Sequence, residues 1–373
     1  MTIITDSDPS SKTSVLTTTE IQSARKSSYI WGFGFLFFDG FIYLAALYGA
    51  MISRNWWESI VYAVIAGFCT SGLLIIAHDA CHQSLTPHRK LNRIIGTIAF
   101  LPALHAYSLW RHGHNFMHHL HTNQRGLDYV WEPLSLSEFR QLSGWGRIRY
   151  RFFRSYPGHY FYYVCEIWWK RRLIPRKRYL GKLKLEYWID SGLVICWIIG
   201  LSTSLILIRS MNLGVSATAA TEWPFAIGLG LVMPFMIGEM LMSNTEYMHH
   251  THPRVHWYRT PVTNDWSTHQ AQVSVHVRYP KPLDWLVHWI MDHTAHHIQP
   301  TIPLYQLENA QQLIDHRVKE VVSYQFSFRE LWSIMRMCKL YDDEVGCWTD
   351  FKGNPTSAFR RSELKITEGS TAI

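Results

Sequence analysis

Four runs of apolar residues, each close to the length of a membrane-crossing helix, constrain the fold of this chain more than any other feature. They lie at about 29–52, 57–77, 189–208 and 223–242. A helix needs about 20 consecutive apolar residues to cross the hydrocarbon core of a bilayer. Charged residues make up 17% of the chain and are largely absent from these runs. We therefore predict an all-α integral membrane protein with four transmembrane helices, arranged as two hairpins because two of the connections are short.

Basic residues predict which side of the membrane each connection faces, because Lys and Arg are retained on the cytoplasmic side. The two short connections offer only Arg54 and Arg209, whereas the segment between the second and third runs is strongly basic, for example from Arg171 to Arg178. We predict that this segment and both termini are cytoplasmic. Attraction to anionic lipid headgroups explains most of this charge, and docking of an acidic electron-transfer protein is the alternative. We expect no nucleic-acid partner, since no nucleic-acid motif accompanies the charge.

The polar segments outside the spans predict three parts. Residues 1–28 are rich in Ser and Thr and lack the compact apolar core of a signal peptide, so we expect a flexible N-terminal tail. Residues 29–320 would form one domain of spans and a cytoplasmic helical cap, and residues 321–373 a cytoplasmic C-terminal tail. The six cysteines lack C-x-x-C spacing and are interpreted as reduced thiols. Asp39 lies inside the first run, where either a functional role or a structural hydrogen bond would explain it.

The 21 histidines are concentrated in four clusters. These clusters are His78 to His82, His112 to His121, Glu246 to His252, and Asp292 to His297. Spacings of i, i+4 and of i, i+3, i+4 place imidazole rings on one face of a helix. A single H-x-x-x-H pair should occur by chance roughly once in a chain this rich in histidine, but three-histidine patterns are much rarer. The clusters therefore predict metal ligands.

All four clusters fall near predicted cytoplasmic span ends or in the cap, so they could converge on one site. Neutral imidazole binds zinc, copper, iron and nickel, and the ligand type alone does not choose the metal. More than eight imidazoles exceed what one ion can use, which favours two ions. In the second cluster we choose His114, His118 and His119, with His112 and His121 as competing candidates.

Three segments resemble, in order, the histidine boxes of the membrane fatty acid desaturases, and most resemble the bacterial and plastid delta-12 (omega-6) acyl-lipid type. These segments are HDACHQS, HNFMHHLHTN and HTAHHIQPTIPLYQL. The resemblance runs from about Trp57 to Leu307 and includes His249 to Pro253, which is similar to a Gln-His-Thr-His-Pro segment of that family. It implies nine metal ligands: His78, His82, His114, His118, His119, His250, His293, His296 and His297.

The chain departs from the family pattern at two places. The second box is H-x-x-x-H-H, whereas many delta-12 members have H-x-x-H-H, and His249 stands where the family has Gln. Glu246 occupies the position of an Asn that, in relatives, reaches a metal through water. Whether His249 and Glu246 add ligands or support others stays open.

The resemblance also implies the chemistry. The cofactors would be two non-haem iron ions that use O2 and two electrons to form a cis double bond in a lipid acyl chain. We expect an external electron donor, ferredoxin-like, because the chain has no cysteine set for an iron–sulfur cluster. Candidates for lining an acyl channel are Trp110, Phe116, Trp131 and Trp266, with ordinary packing as the alternative. Candidates for orienting the imidazoles are Asp79, Asp128 and Asp292, with solvent exposure as the alternative.

Two other functions compete with the desaturase. A hydroxylase or ketolase of the same superfamily, acting on alkanes or carotenoids, would share the boxes and insert oxygen. A non-enzymatic bis-histidine haem cytochrome would need histidines facing each other inside the spans, which lack histidine before their predicted cytoplasmic ends. Regioselectivity depends on the length and bend of the channel, which no local motif encodes, and the acyl carrier stays open among a glycerolipid, CoA and a carrier protein.

Overall fold

The computed structural model describes residues 15–214, 222–260, 265–319 and 321–359. These residues are predominantly helical. The α-helices are Thr18–Ala24, Tyr29–Ile52, Trp56–Cys81, Arg89–Phe100, Tyr107–Arg111, Leu136–Gln141, Gly144–Phe153, Gly158–Tyr162, Lys177–Leu180, Leu185–Leu213, Glu222–Ile227, Met233–His250, Trp266–Val273, Lys281–Leu286, His293–Ile298, Leu307–Arg317 and Phe328–Met337. Three π-helices are His112–His118, Tyr163–Arg172 and Gly228–Val232, and two 3-10 helices are His119–His121 and Leu304–Gln306.

Among the described residues, four helical segments are long and apolar enough to cross a membrane, which confirms the four predicted spans. We name them span 1 (Tyr29–Ile52), span 2 (Trp56–Cys81), span 3 (Leu185–Leu213) and span 4 (Glu222–His250). Spans 2, 3 and 4 are longer than the apolar runs that predict them. Span 2 continues beyond its apolar part through His78, and span 4 continues through His250. Two histidine clusters are therefore held on the rigid ends of spans.

Spans 2 and 4 pack closely through glycine. A Cβ atom added to Gly67 would lie 2.6 Å from Cβ of Ile237, and one added to Gly238 would lie 2.6 Å from Cγ2 of Thr70. Small residues let helix backbones approach within van der Waals contact, which drives helix association in lipid. This contact fixes the two spans that carry His78 and His250 relative to each other.

A buried arginine closes the bundle at the opposite end of the spans. Arg209 of span 3 donates to the carbonyls of Met51 at 3.2 Å and Ser53 at 2.6 Å. Its Nε also donates to Glu222 at 3.0 Å. The last carbonyls of a helix lack partners within the helix, so Arg209 satisfies those at the end of span 1.

Two small sheets accompany the helices, and the sequence analysis did not predict them. Strand β1 (Val275–Arg278) pairs in parallel with β2 (Val322–Gln325), and β3 (Leu340–Asp342) pairs antiparallel with β4 (Cys347–Thr349). Strands of three or four residues are too short to show a clear alternation of apolar and polar residues. The chain between β1 and β2 carries the third histidine box, so their pairing fixes both ends of that segment.

Both terminal regions contribute packed elements among the described residues; residues 1–14 and 360–373 lie outside them. In the segment expected as an N-terminal tail, Glu20 pairs with Arg317 at 2.6 Å and Leu16 is buried. In the segment expected as a C-terminal tail, the buried Trp348 donates from Nε1 to the carbonyl of Val255 at 2.9 Å. The C-terminal strands thus lie against the chain that follows span 4.

We predict that Gly67→Leu destabilises the protein by about 1–3 kcal/mol, the usual cost of overpacking a close contact. The added side chain would push span 2 away from Ile237. Gly200→Leu in span 3 is the matched control, because a Cβ there meets nothing within 4 Å. Thermal unfolding in detergent should show a lower midpoint for Gly67→Leu alone. Equal midpoints for the two variants would contradict the assigned contact.

Candidate metal centre

The nine histidines predicted as ligands converge in two groups, both buried. The first group is His78, His82, His114, His119 and His296, and the second group is His118, His250, His293 and His297. Within each group, all candidate ligand atoms lie within 4.8 Å of one another. His112 and His121, the competing candidates of the second box, belong to neither group. The structure therefore brings His114 into the site, as the sequence analysis chose.

Each box contributes from a defined place in the fold. His78 lies in the last turn of span 2 and His82 caps that helix, while His250 is the last residue of span 4. The third box forms its own short helix, His293–Ile298. The second and third boxes supply ligands to both groups. Neither group can form unless the spans and the connecting segments are packed together.

A π-helix explains the unusual spacing of the second box. In an α-helix, His114 and His119 would point in directions roughly 140° apart, at 100° per residue. Residues His112–His118 instead form a π-helix, and the backbone N–H of His119 donates to the carbonyl of His114. This i to i+5 bond widens the turn by one residue. The wider turn accommodates the one residue that this box has in addition to the H-x-x-H-H pattern. The rings of His114 and His119 therefore both reach the first group.

The nitrogen atoms within each group lie close enough together to share one metal ion. Nε2 of His119 lies 3.0 Å from Nε2 of His114 and 3.1 Å from Nε2 of His296. Nε2 of His250 lies 3.1 Å from Nε2 of His118 and 3.0 Å from Nε2 of His293. Imidazole ligands bind such metals at about 2.0–2.1 Å, which places neighbouring nitrogens roughly 3 Å apart. The donor atoms thus fit one metal ion per group.

The electrostatics of the site also favour a metal over protons. Burial lowers the pKa of six of these imidazoles well below the usual range, and repulsion from neighbouring histidines adds to the effect: His82, His114, His119, His293, His296 and His297. A neutral imidazole keeps the lone pair that a metal requires. Nε2 of His78, His82 and His297 has no hydrogen-bond partner among the described residues. A bound ion would satisfy these buried nitrogen atoms.

A comparison with known protein families supports this reading of the site. Residues 55–329 match the sequence model of the family described as fatty acid desaturase. The chain belongs to the fatty acid desaturase family. Family membership and the four apolar spans make it an integral membrane oxidoreductase of lipid metabolism.

Curated relatives of this desaturase align over most of the chain. It is 28% identical over 306 residues to the sn-1 oleoyl-lipid 12-desaturase of Synechocystis sp., covering 81% of this chain and 82% of the relative. It is 28% identical over 310 residues to the chloroplastic omega-6 fatty acid desaturase of Glycine max, covering 79% and 65% of the two chains. The Arabidopsis thaliana omega-6 enzyme is 27% identical, covering 79% and 62%.

Asp128 orients a predicted ligand of the desaturase. Nδ1 of His118 donates to its two carboxylate oxygens at 3.1 and 3.0 Å. The backbone N–H groups of Asn123 and Val130 donate to the same carboxylate at 2.9 and 3.0 Å. A carboxylate that accepts from Nδ1 fixes the ring orientation and leaves Nε2 free for the metal.

The other carboxylate candidates contact different partners. Asp79 accepts from Ser84 Oγ at 2.6 Å and from the Leu304 N–H at 3.4 Å, so it joins span 2 to the segment after the third box. Asp292 lies 3.1 Å from Nε2 of His276, which is not a predicted ligand. Although burial disfavours the charged imidazole, Asp292 and Asp315 raise the pKa of His276 to about 9. Neither Asp79 nor Asp292 forms a side-chain hydrogen bond to a predicted ligand among the described residues.

Glu246 and His249 lie beside both groups without joining either. Both carboxylate oxygens of Glu246 and Nε2 of His249 are buried and have no hydrogen-bond partner among the described residues. The ring of His249 stacks on that of His293, with centroids 3.7 Å apart. These polar atoms face the same pocket as the predicted ligands.

Two orienting contacts were missed by the sequence analysis. Gln270 accepts from Nδ1 of His297 at 2.8 Å, and the Val273 carbonyl lies 3.3 Å from Nδ1 of His250. Each of these two contacts engages Nδ1 and leaves Nε2 of its imidazole free to face the second group, as the contact with Asp128 does for His118. Gln270 carries no charge, and Val273 acts through its backbone carbonyl. Nothing in a single sequence therefore marks either residue as a partner of an imidazole.

The aromatic channel candidates are scattered in the structure. Trp110 is buried, with its ring centroid 4.2 Å from that of His114. Trp131 is buried and stacks on Tyr162 at 4.1 Å. Phe116 and Trp266 are 46% and 37% exposed. None of the four lines the pocket beside the metal centre, so a channel lined by them stays a prediction.

An apolar pocket instead reaches the histidines from between spans 2 and 4. Its apolar lining residues are Leu74, Ile75, Met242 and Ile290. Its polar lining residues include His78, His114, His118, His250 and His293 from the two groups. Ligands of this kind of site bind in clefts with apolar walls and a few directed polar groups. Leu74, Ile75 and Met242 fall within predicted spans, whereas no role was predicted for Ile290.

We predict that His119→Ala removes metal from the first group, because it deletes one of five imidazoles there. His121→Ala is the matched control: it lies in the same box, contacts Gln124 and belongs to neither group. Metal analysis of purified protein should show at least one ion less per chain for His119→Ala, with membrane insertion unchanged. Losses of one ion are also expected for His118→Ala, His296→Ala and His297→Ala. Full metal content in any of these four removes that residue from the ligand set.

We predict that Asp128→Ala weakens metal binding at the second group about 10- to 100-fold, since partners that orient ligands typically have effects of this size. Asp343→Ala serves as control, because Asp343 pairs with Arg259 at 3.1 Å and contacts no predicted ligand. Competition with a chelator of known affinity measures the difference. Equal metal retention by the two variants would show that the His118–Asp128 contact has no orienting role.

Proposed function

We propose that this desaturase holds two non-haem iron ions in the two histidine groups and introduces a cis double bond at the delta-12 position of a membrane lipid acyl chain. The observation that carries the proposal is the separation of nine buried imidazoles into groups of five and four. The names of the Synechocystis and plant relatives support the position of the bond. The nine imidazoles named above would be the iron ligands.

When bound, the irons would supply the oxidant that an unactivated C–H bond requires, since no side chain can abstract such a hydrogen by acid–base chemistry. The overall reaction removes two hydrogens from adjacent methylenes, and O2 is reduced to two waters with two electrons and two protons from outside. The chain itself contributes rigid positioning. Asp128, Gln270 and the Val273 carbonyl hold three imidazoles of the second group in fixed orientations.

The small pocket between spans 2 and 4 would be the point at which the acyl chain meets the metal centre. Its aliphatic residues, Leu74, Ile75, Met242 and Ile290, provide an environment similar to the bilayer interior from which the substrate comes. The acyl chain gains little free energy when it moves from the apolar bilayer into an apolar pocket. The shape of the pocket, rather than its affinity for the chain, would therefore select the methylene pair. Glu246 and His249 in this pocket would hold ordered water or support the ligands.

We also propose the sidedness of the protein. The spans would form two hairpins, with the metal centre, both termini and a helical cap on the cytoplasmic side, as the basic segments indicate. The external donor would be ferredoxin or a similar acidic protein. Lys177, Arg178, Lys182 and Lys184 are exposed and could attract it, whereas Arg172 is buried and donates to the Trp110 carbonyl at 3.0 Å.

The nitrogen spacing bears on the haem alternative. The axial nitrogens of a bis-histidine haem lie on opposite faces of the ring, at roughly 4 Å from each other for bonds of about 2 Å. The closest pairs here are 3.0 Å apart, and each belongs to a set of four or five imidazoles. This arrangement suits compact metal ions.

We predict that expression in a bacterium without polyunsaturated lipids, together with a ferredoxin donor, yields a new diene. Mass spectrometry of the extracted acyl chains should locate the second double bond at the delta-12 position. His119→Ala, which removes an iron ligand, is expected to give no diene.

Other outcomes would count against the proposal. An oxygenated acyl, alkane or carotenoid product would assign the chain to the hydroxylase or ketolase branch. A diene at another position would contradict delta-12 selectivity while retaining desaturation. Lack of any product from protein that carries both irons and receives electrons would contradict acyl-lipid desaturation.

A further inference from the structure

The segment between strand β1 and the third box forms a closed loop that the metal centre does not use. We call residues 281–291 the 281–291 loop. Its base is closed by the N–H of Val277, which donates to the carbonyl of Met291 at 3.3 Å. Its first part is the helix Lys281–Leu286. At its tip, His288 and Trp289 have φ angles of 50° and 54°.

The tip of the loop is bound to the interior of span 1. Nε2 of His288 donates to the Asp39 carboxylate at 2.7 Å. The ring of His288 also contacts the ring of Phe35 edge to face, with centroids 4.8 Å apart. Left-handed backbone is uncommon for large side chains and persists only where the surroundings hold it. The contacts with Asp39 and Phe35 provide that restraint.

The position of Asp39 along span 1 places this contact deep in the bilayer. Asp39 lies ten residues after Tyr29, the first residue of span 1. At 1.5 Å per residue this is about 15 Å along the helix, near the middle of a hydrocarbon core of about 30 Å. A carboxylate at such depth requires a partner. The hydrogen bond to His288 supplies this partner, so Asp39 is a paired group in the interior of span 1.

Span 2 leaves room for this pair. A Cβ atom added to Gly72 would collide with the Asp39 carboxylate and lie 3.3 Å from Nε2 of His288. Gly72 precedes His78 by six residues, or about 9 Å along the helix. The Asp39–His288 contact therefore lies below the metal centre, between spans 1 and 2.

Apart from Lys281 at its base, the outer face of the loop is apolar. Leu283, Trp285 and Leu286 are 45%, 41% and 56% exposed. The ring of Trp285 contacts that of Phe38 in span 1, with centroids 5.5 Å apart. Phe38 is itself among the exposed aromatic residues of that span. Side chains that extend the exposed surface of a membrane span at this depth face hydrocarbon.

The inner face of the loop contributes to the acyl pocket. Ile290 follows the left-handed pair directly and lines the pocket with Leu74 and Met242. The N–H of Ile290 donates to the Val287 carbonyl at 3.1 Å, so it moves with the tip. The position of this pocket wall thus depends on where the tip is held.

We propose that the 281–291 loop is a re-entrant membrane segment and that the Asp39–His288 hydrogen bond positions Ile290 against the acyl chain. Asp39 and His288 are then positioning residues that determine which methylene pair reaches the metals. The placement of the loop rests on geometry alone. Its effect on selectivity rests on the proposed function.

The first experiment measures depth and needs no activity. A spin label is attached at Leu286→Cys, with Arg278→Cys at the exposed end of β1 as the matched control, after Cys165→Ser and Cys196→Ala remove the exposed native thiols. In vesicles, the label at position 286 should relax more with oxygen than with a water-soluble nickel chelate, and the label at 278 should show the reverse. Equal response of the two labels to the chelate would overturn the re-entrant placement.

The second experiment measures the position of the double bond. Asp39→Ala and His288→Ala should lower the ratio of the main to displaced positional isomers at least tenfold. Asp39→Asn retains an acceptor for Nε2–H and should keep the original position. Glu222→Ala, which removes the acceptor of the Arg209 Nε–H at the other end of the bundle, controls for loss of a polar contact between spans. A single unchanged position in metal-loaded Asp39→Ala and His288→Ala would overturn the positioning role, even at lower yield.

A third variant covers the case in which Asp39→Ala does not insert. Ile290→Ala keeps the hydrogen bond and removes only the pocket wall, so it should shift or broaden the product positions. Unchanged positions in Ile290→Ala would also overturn the proposal. If the wild-type chain forms no diene, the proposed function fails, and the label measurement still decides the placement of the loop.

Discussion

The close approach of nine buried imidazoles is the constraint on which the rest of the structure depends. Buried nitrogens without partners cost free energy, and neighbouring imidazoles repel any proton that one of them would bind. Bound metal ions would offset this cost, and their binding would then contribute directly to the stability of the fold. The first group needs the end of span 2 and parts of two boxes, and the second needs the end of span 4. The two histidine groups therefore connect the spans and the cap at one place in the fold.

Rigid elements deliver the ligands to this point. Span 2 is continuous through His78, span 4 through His250, and the glycine contact at Gly67 and Gly238 sets the distance between them. The π-helix of the second box then adjusts the rotation of single rings without moving the spans. Contacts from Asp128 and Gln270 complete the adjustment by choosing the imidazole tautomer. Coarse placement comes from helix packing and fine placement from hydrogen bonds.

Local signals made the spans and the ligands predictable. Apolar runs are contained in short stretches of sequence and led to the four spans, and the histidine spacings together with the resemblance to the desaturase boxes led to the nine residues that meet in the structure. The short strands β1 and β2, the roles of Gln270 and the Val273 carbonyl, and the pairing of Asp39 with His288 depend on contacts between distant segments. Asp292 illustrates the limit: its position beside His293 suggested an orienting role, but its carboxylate turns to His276. Aromatic residue type likewise did not reveal which side chains face the pocket.

The adjacent residues His118 and His119 serve different groups. One short segment of backbone must therefore satisfy two coordination spheres at once, and the third box shares this property through His296 and His297. An ion in one group would immobilise segments that the other group also needs, so the second ion would meet a site whose ordering entropy is already lost. Metal uptake by this desaturase would then be cooperative, and chains carrying a single ion would be a minor species during its maturation.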